Sequence, residues 1–293
     1  MIQIRTTVLL LIYLLLTNSL QAQENVGNRF LEINPETVSA ACGDADGTRW
    51  ENPFSVWLNP AGAAEGDAAF LSKNWIEGER IVGFGYSTPL PGVDLTALAY
   101  ASSIGDLWSR SGPEPEPDGS FTAHDLVLSL TLAREVLPHL RFGITGKYIN
   151  EKIYDETADG LAVDLGIQYD LPWVAMSGSV SNLGRVNSLE TERSALPRTI
   201  RLNAGTTLDF DTIDLRVMTS FASVTESDPT FSVGSELTFK RSVSLRSGYL
   251  FNHDTRSFSL GAGFRLRQWR CDYAYIPFEK FGDTQQFTIT YSF

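Results

Sequence analysis

Acid–base or metal chemistry in this chain would have to use three histidines, His124, His139 and His253, the only imidazoles in 293 residues. None of them sits at a metal-ligand spacing, and no Gly-x-Ser-x-Gly elbow is present to carry a nucleophilic serine. His253-Asp254 could pair as a base and its orienter, but the dipeptide falls in a tight turn, where a conformational role is expected. No motif for a metal, phosphate or organic cofactor is found. The reading is a non-enzyme with no catalytic residues, no metal and no cofactor. The two cysteines, Cys42 and Cys271, are too few for a disulfide scaffold.

The remaining candidates are charges, and their meaning depends on the elements that carry them. From residue 67 onward apolar residues alternate with small or polar ones, the period-two pattern of a strand with two different faces. Leu161, Val163, Leu165, Ile167, Tyr169 and Leu171 alternate with Ala162, Asp164, Gly166, Gln168 and Asp170. Leu126, Leu128, Leu130 and Leu132 repeat the pattern, as do Phe258, Leu260, Ala262, Phe264 and Leu266. A soluble β-sandwich alternates too, but many of these runs last about nine to twelve residues, the length that crosses a bilayer at a tilt.

About fourteen such runs can be placed, near 67–75, 80–88, 93–103, 121–134, 139–152, 159–171, 173–181, 198–210, 213–224, 230–240, 242–251, 256–267, 269–277 and 284–293. Even-numbered connections, such as Pro89 to Gly92, Asp211-Thr212 and Gln268, are short; odd-numbered ones include 104–120 and 182–197. Outer-membrane barrels have short periplasmic turns and longer outer loops, so both barrel ends belong in the periplasm. Gly112 to Gly119, acidic and proline-rich, reads as a solvated outer loop. The fold expectation is all-β: an antiparallel transmembrane barrel of about fourteen strands, residues 67–293, in contact with outer-membrane lipid.

Residues 1–22 carry Arg5, an apolar run of about nine residues and a small Ala22, the pattern of a cleavable secretory signal and too short for a spanning helix. Removing them takes the formal charge from −12 to −13, which disfavours nucleic acid as a partner. Residues 23–66 do not alternate and are too few for a core of their own; the lumen is the space available to them, so they are expected to form a plug. The chain closes on Phe287-Thr288-Ile289-Thr290-Tyr291-Ser292-Phe293, resembling the terminal strand recognised by the barrel-assembly machinery, with Phe293 as its terminal aromatic.

On this pattern the inward-facing ionisable residues are Asp164, Asp170, Arg201, Arg246, Arg265, Arg267 and Asp272, placed there because charge avoids hydrocarbon. A pair such as Asp164 with an arginine is expected to hold the plug. Cys271, next to inward Asp272, should face lipid, which disfavours a disulfide to Cys42.

The plug motif Asn59-Pro60-Ala61-Gly62 ahead of a long barrel is similar to that of FadL-type outer-membrane transporters. Gly160 to Gly166, Val180 to Gly184, Leu196 to Arg201 and Asp272 to Phe278 more closely resemble the PorV/PorQ family within that fold, over nearly the whole mature chain. The run Ser39 to Asp44 departs from that family's plug. The PorV/PorQ resemblance implies a type IX secretion-associated component that binds exported proteins or secretion-system components at the outer membrane. The FadL resemblance implies instead a passive transporter of long-chain fatty acids or other hydrophobic small molecules. Uptake requires an apolar track from the outside to a gap in the wall; partner binding requires an exposed loop surface.

Overall fold

The computed structural model describes residues 27–62, 65–109, 119–187 and 194–293. The expected signal segment 1–22 and most of the proline-rich loop, 112–118, lie outside the described residues. The strands are β1 (Asp67–Asn74), β2 (Arg80–Leu90), β3 (Val93–Ser109), β4 (Gly119–Leu137), β5 (Leu140–Ile153), β6 (Glu156–Asp170), β7 (Ala175–Val186), β8 (Ser194–Ala195), β9 (Thr199–Asp209), β10 (Ile213–Val224), β11 (Thr230–Phe239), β12 (Val243–Phe251), β13 (Phe258–Leu266), β14 (Trp269–Phe278) and β15 (Gly282–Ser292). All pair antiparallel; β8 adds two residues beside β7, and the other fourteen form the wall. β1 joins β15 and β6 joins β7, so the wall closes on itself and its strands bond to neighbours on both sides, as hydrocarbon requires, with one interruption between β7 and β9 beyond Ser181.

The faces follow the alternation. On β6, Leu161, Val163, Leu165 and Ile167 are exposed outward, while Ala162 and Asp164 are buried inward. Phe70, Leu128, Leu202 and Leu260 continue the outward apolar belt, far larger than a water-soluble surface tolerates. No helix among the described residues is long and apolar enough to cross a membrane. β3 and β4 run longer than their alternation suggested, to Ser109 paired with Gly119, because the ladder continues through Leu107 and Trp108 past a register shift between Ile104 and Leu107 that breaks the alternation.

The tight turns share one end, called here the inner end, with residue 66 and Phe293. They are closed by residues with positive φ, among them Gly92, His139 at 67° and Arg267 at 54°. Arg267 is therefore an exposed turn residue and not the inward-facing charge that alternation suggested. Trp269 and Tyr291, with ring centroids 4.8 Å apart, form part of an aromatic rim at this end.

Residues 27–62 lie inside the barrel. The segment starts near the outer end, where the Gly27 N–H donates to the Ala195 carbonyl at 3.1 Å. It then forms a short helix α1 (Thr37–Ala41) and a 3-10 turn (Pro53–Trp57), and reaches the inner ends of β5 and β6 at Asn59–Gly62. Three Asn-Pro dipeptides steer it. The side-chain oxygens of Asn34, Asn52 and Asn59 accept the backbone N–H of Glu36, Phe54 and Ala61 at 2.8, 2.9 and 3.1 Å. Each is an Asx turn in which proline removes a donor and fixes φ.

Candidate functional site

The wall is notched to accept the segment. A Cβ at Gly143 would overlap the Pro60 carbonyl, and one at Gly248 would overlap the backbone of Cys42, so at both places only glycine permits the contact. Arg141 donates from Nε to the Ala61 carbonyl at 3.1 Å and from Nη2 to that of Gly62 at 3.4 Å, while pairing with Asp94. Asn59 donates to the Gly47 carbonyl at 3.3 Å and to Gln168 Oε1 at 3.4 Å. The Asn59-Pro60-Ala61-Gly62 motif thus occupies a fitted seat on β5 and β6.

On the opposite side the seat is electrostatic. Arg49 pairs with Glu236 at 3.0 Å, Glu236 with Arg246 at 2.5 Å, Arg246 with Asp272 at 2.8 Å and Asp272 with Arg270 at 2.6 Å. Arg270 pairs with Glu51, and Glu51 closes the circuit on Arg49. Six charges of alternating sign form a ring, two from the segment and four from β11, β12 and β14. Beside it Arg216 of β10 grips Asp46 with two donors, at 3.0 and 3.1 Å. Such a ring is net neutral, and its members are satisfied only together.

Asp164 has a different role from the one expected of it. It pairs with Lys147 of the neighbouring strand at 2.7 Å, not with an arginine, and does not bind the segment. Its other oxygen accepts the Asn182 N–H at 2.7 Å, and Lys147 donates to Asn182 Oδ1 at 2.9 Å. Asn182, at φ 62°, lies in a bulge where Val163 pairs with Leu183 but Leu165 pairs with Val180. Its Nδ2 donates to the Pro197 carbonyl at 2.9 Å. β7 leaves β9 after Ser181 and continues beside β8, so the wall ladder is interrupted here.

An apolar cluster fills the β1–β6 side of the lumen. Inward-facing Leu71, Ile81, Leu98, Tyr100 and Ile149 pack on Phe30, Phe54 and Trp57, an apolar cluster beside the buried Lys147–Asp164 pair. Phe30 stacks on Tyr100 at 4.7 Å and Trp57 meets Tyr100 edge-on at 5.2 Å. Trp57 also lies 4.2 Å from Lys147 Nζ. At the outer end Phe30 and Ile33 continue into a cavity of about 510 Å³ shared with Trp75, Ile76, Ile276 and Phe278. A second cavity of about 370 Å³, at the inner end, is lined by the charge ring and by Arg265.

Burial raises Glu36, the N-cap of α1, to about 7, the nearby Glu51 charge adding to the effect against the Ser39 N–H that its carboxylate accepts. Burial acts the same way on Glu51, but Arg270 and Arg49 outweigh it and hold that carboxyl below its ordinary range. Asp44 is held low, against burial, by Arg256.

Of the other expected luminal charges, Asp272 is central to the ring, while Arg201 is half-buried and makes no ion pair within 4 Å among the described residues. Arg265 faces the inner cavity, exposed and likewise without an ion-pair partner. Alternation missed Lys147, Glu236, Arg49 and Glu51; the run Arg49-Trp50-Glu51 in an otherwise acidic stretch is the one sequence signal for the segment's half of the ring. Cys42 is buried on the segment, and Cys271, half-buried beside the inward Asp272, is not bonded to it.

No known family profile matches the chain, and no curated protein matches it in sequence. Among solved structures it is similar to the Pseudomonas putida toluene transporter TodX, at 11% identity and a TM-score of 0.62 over 92% of this chain and 98% of that one. It is also similar to the monoaromatic hydrocarbon channel CymD, at 12% identity and 0.60 over 88% and 97%. A Pseudomonas aeruginosa FadL homologue matches at 10% identity and 0.55 over 92% and 100%. At such identities the likeness concerns architecture: this chain has the fold of FadL-like outer-membrane barrels, and its lipid-facing belt agrees with that placement.

Proposed function

We propose that the protein is a passive outer-membrane channel for hydrophobic small molecules, with residues 27–62 as its plug. The observation that carries this is a line of apolar side chains in contact that leads inward from the outer cavity. It begins at Trp75 and Phe278 in the outer cavity, passes Phe30, Tyr100 and Trp57, and ends beside Lys147 at the bulge where the β7–β9 ladder is interrupted. An apolar solute favours such a route over the charged inner mouth, since each CH₂ removed from water contributes about 0.8 kcal/mol. The path is packed shut, so passage requires Phe30 and Trp57 to move aside. The hydrocarbon channels with this architecture support the same reading.

The type IX secretion reading draws on sequence resemblance alone. The outer loop surface a protein partner would need falls partly on 110–118 and 188–193, outside the described residues. Reconstitution decides between the two. Liposomes carrying the protein should take up a monoaromatic hydrocarbon faster than protein-free liposomes, and equal rates would sink the channel reading. Exported proteins co-purifying from the native membrane, with no accelerated uptake, would favour secretion.

A further inference from the structure

The outer cavity holds more chemistry than an apolar path requires. Of its charged lining residues, Arg29 pairs with Glu32 at 2.9 Å and Arg256 pairs with Asp44, which removes two cations and two anions from the balance. Glu79, on the turn between β1 and β2, and Asp125, on β4, remain, both half-buried and without an ion pair among the described residues. The one other cation, Lys73, is 2% exposed; its Nζ donates to the Asn34 carbonyl at 3.2 Å and lies 4.2 Å over the Trp75 ring. It is turned into the protein, whereas the two carboxylates flank the cavity.

The aromatic lining supplies the apolar wall beside these carboxylates. Trp75 and Phe278 meet edge-to-face at 5.3 Å, forming an aromatic corner. Trp75 and Glu79 bracket one tight turn, the Trp75 N–H donating to the Glu79 carbonyl at 2.8 Å, so the ring and the carboxylate are held together. Lys73 Nζ already lies over the Trp75 ring and the Arg256 guanidinium lies 6.0 Å from the Phe278 ring, so it is the two carboxylates without an ion pair that attract a cation and repel an anion.

We propose that this cavity selects amphiphiles with an apolar body and a cationic head group, ahead of neutral analogues and well ahead of carboxylates. The inference rests on the uptake reading and names its substrate class. A carboxylate head would enter between Glu79 and Asp125, with Lys73 turned inward and Arg29 and Arg256 already paired with Glu32 and Asp44. An alkylammonium head meets the two carboxylates while its chain lies against Ile33, Ile76 and Ile276.

The test uses the full chain in zwitterionic phosphatidylcholine nanodiscs near neutral pH. Tryptophan fluorescence is titrated with decyltrimethylammonium, decanol and decanoate, and partition into protein-free discs is subtracted. The cation should bind about tenfold more tightly than decanoate, the scale expected for carboxylates several ångströms away in a partly hydrated cavity. Glu79→Gln, on the turn between β1 and β2, and Asp125→Asn should each narrow that gap. Decanoate binding as tightly as the cation, or a gap unchanged in both variants, overturns the inference while leaving the channel reading intact. Binding of none of the three overturns both.

Discussion

The two halves of the barrel interior hold the same segment by opposite physics. Against β10–β14 the contact is a closed ring of buried charges; against β1–β6 it is aromatic and aliphatic packing. The ring demands geometry: a missing member leaves a buried charge unpaired, so it resists partial opening. The apolar side is graded, since displacing one ring costs its own burial and contacts and leaves no orphaned charge. A segment anchored by charges on one side and packed by aromatics on the other can yield on the apolar side without leaving the barrel, which is what a gated apolar path needs.

The largest effect should come from filling a notch. Gly248→Val places side-chain atoms inside the backbone of Cys42, and the segment should lose its seat there, exposing residues 27–62 to protease in intact liposomes; unchanged protection would show that the notch is not a constraint. Next is Arg270→Met, which opens the ring, leaves Glu51 to Arg49 alone and Asp272 to Arg246 alone with one buried negative charge in excess, and should cost about 3–5 kcal/mol in urea unfolding of the folded barrel. A loss near zero would mean the ring acts as independent surface pairs.

Trp57→Ala acts on the other half. It should cost about 3 kcal/mol or somewhat more, yet raise hydrocarbon flux by widening the path next to Lys147. Lower flux with a folded barrel would break the contrast between the two sides.

The smallest effect is on pH. Glu36 binds its proton more tightly in the folded protein, at about 7 against the ordinary 4.5, so its contribution to stability is full below 4.5 and is lost as pH rises through 7. Over that window the change should be on the order of 2–3 kcal/mol, and Glu36→Gln should flatten it. Asp44 and Glu51, both held low, act only at more acid pH.

Strand alternation made the wall legible because a two-faced ribbon in a bilayer has little freedom: Leu161 and Asp164 cannot exchange faces. Strand ends were less legible where the period breaks, as on β3 and β4, whose ladder continues through Leu107 and Trp108 past a register shift. Arg267 shows the limit of the method, for a left-handed turn breaks the period that would have pointed it inward. Asp164 shows another, since alternation says that a charge faces inward but not which neighbour meets it; Lys147 is paired through the register of β5 with β6.

The chain by itself determined a closed antiparallel barrel with its apolar face outward and its charges inward, because those properties are local and repeat every two residues. The three Asn-Pro turns are equally local, and they set where the inner segment bends. Tertiary structure alone decided that Arg49 and Glu51 complete a ring with residues some 185 to 223 positions away, and that Phe30, Tyr100 and Trp57 align into one path. Those relations depend on strand registers and on the route of a non-periodic segment, neither of which any short stretch of sequence encodes.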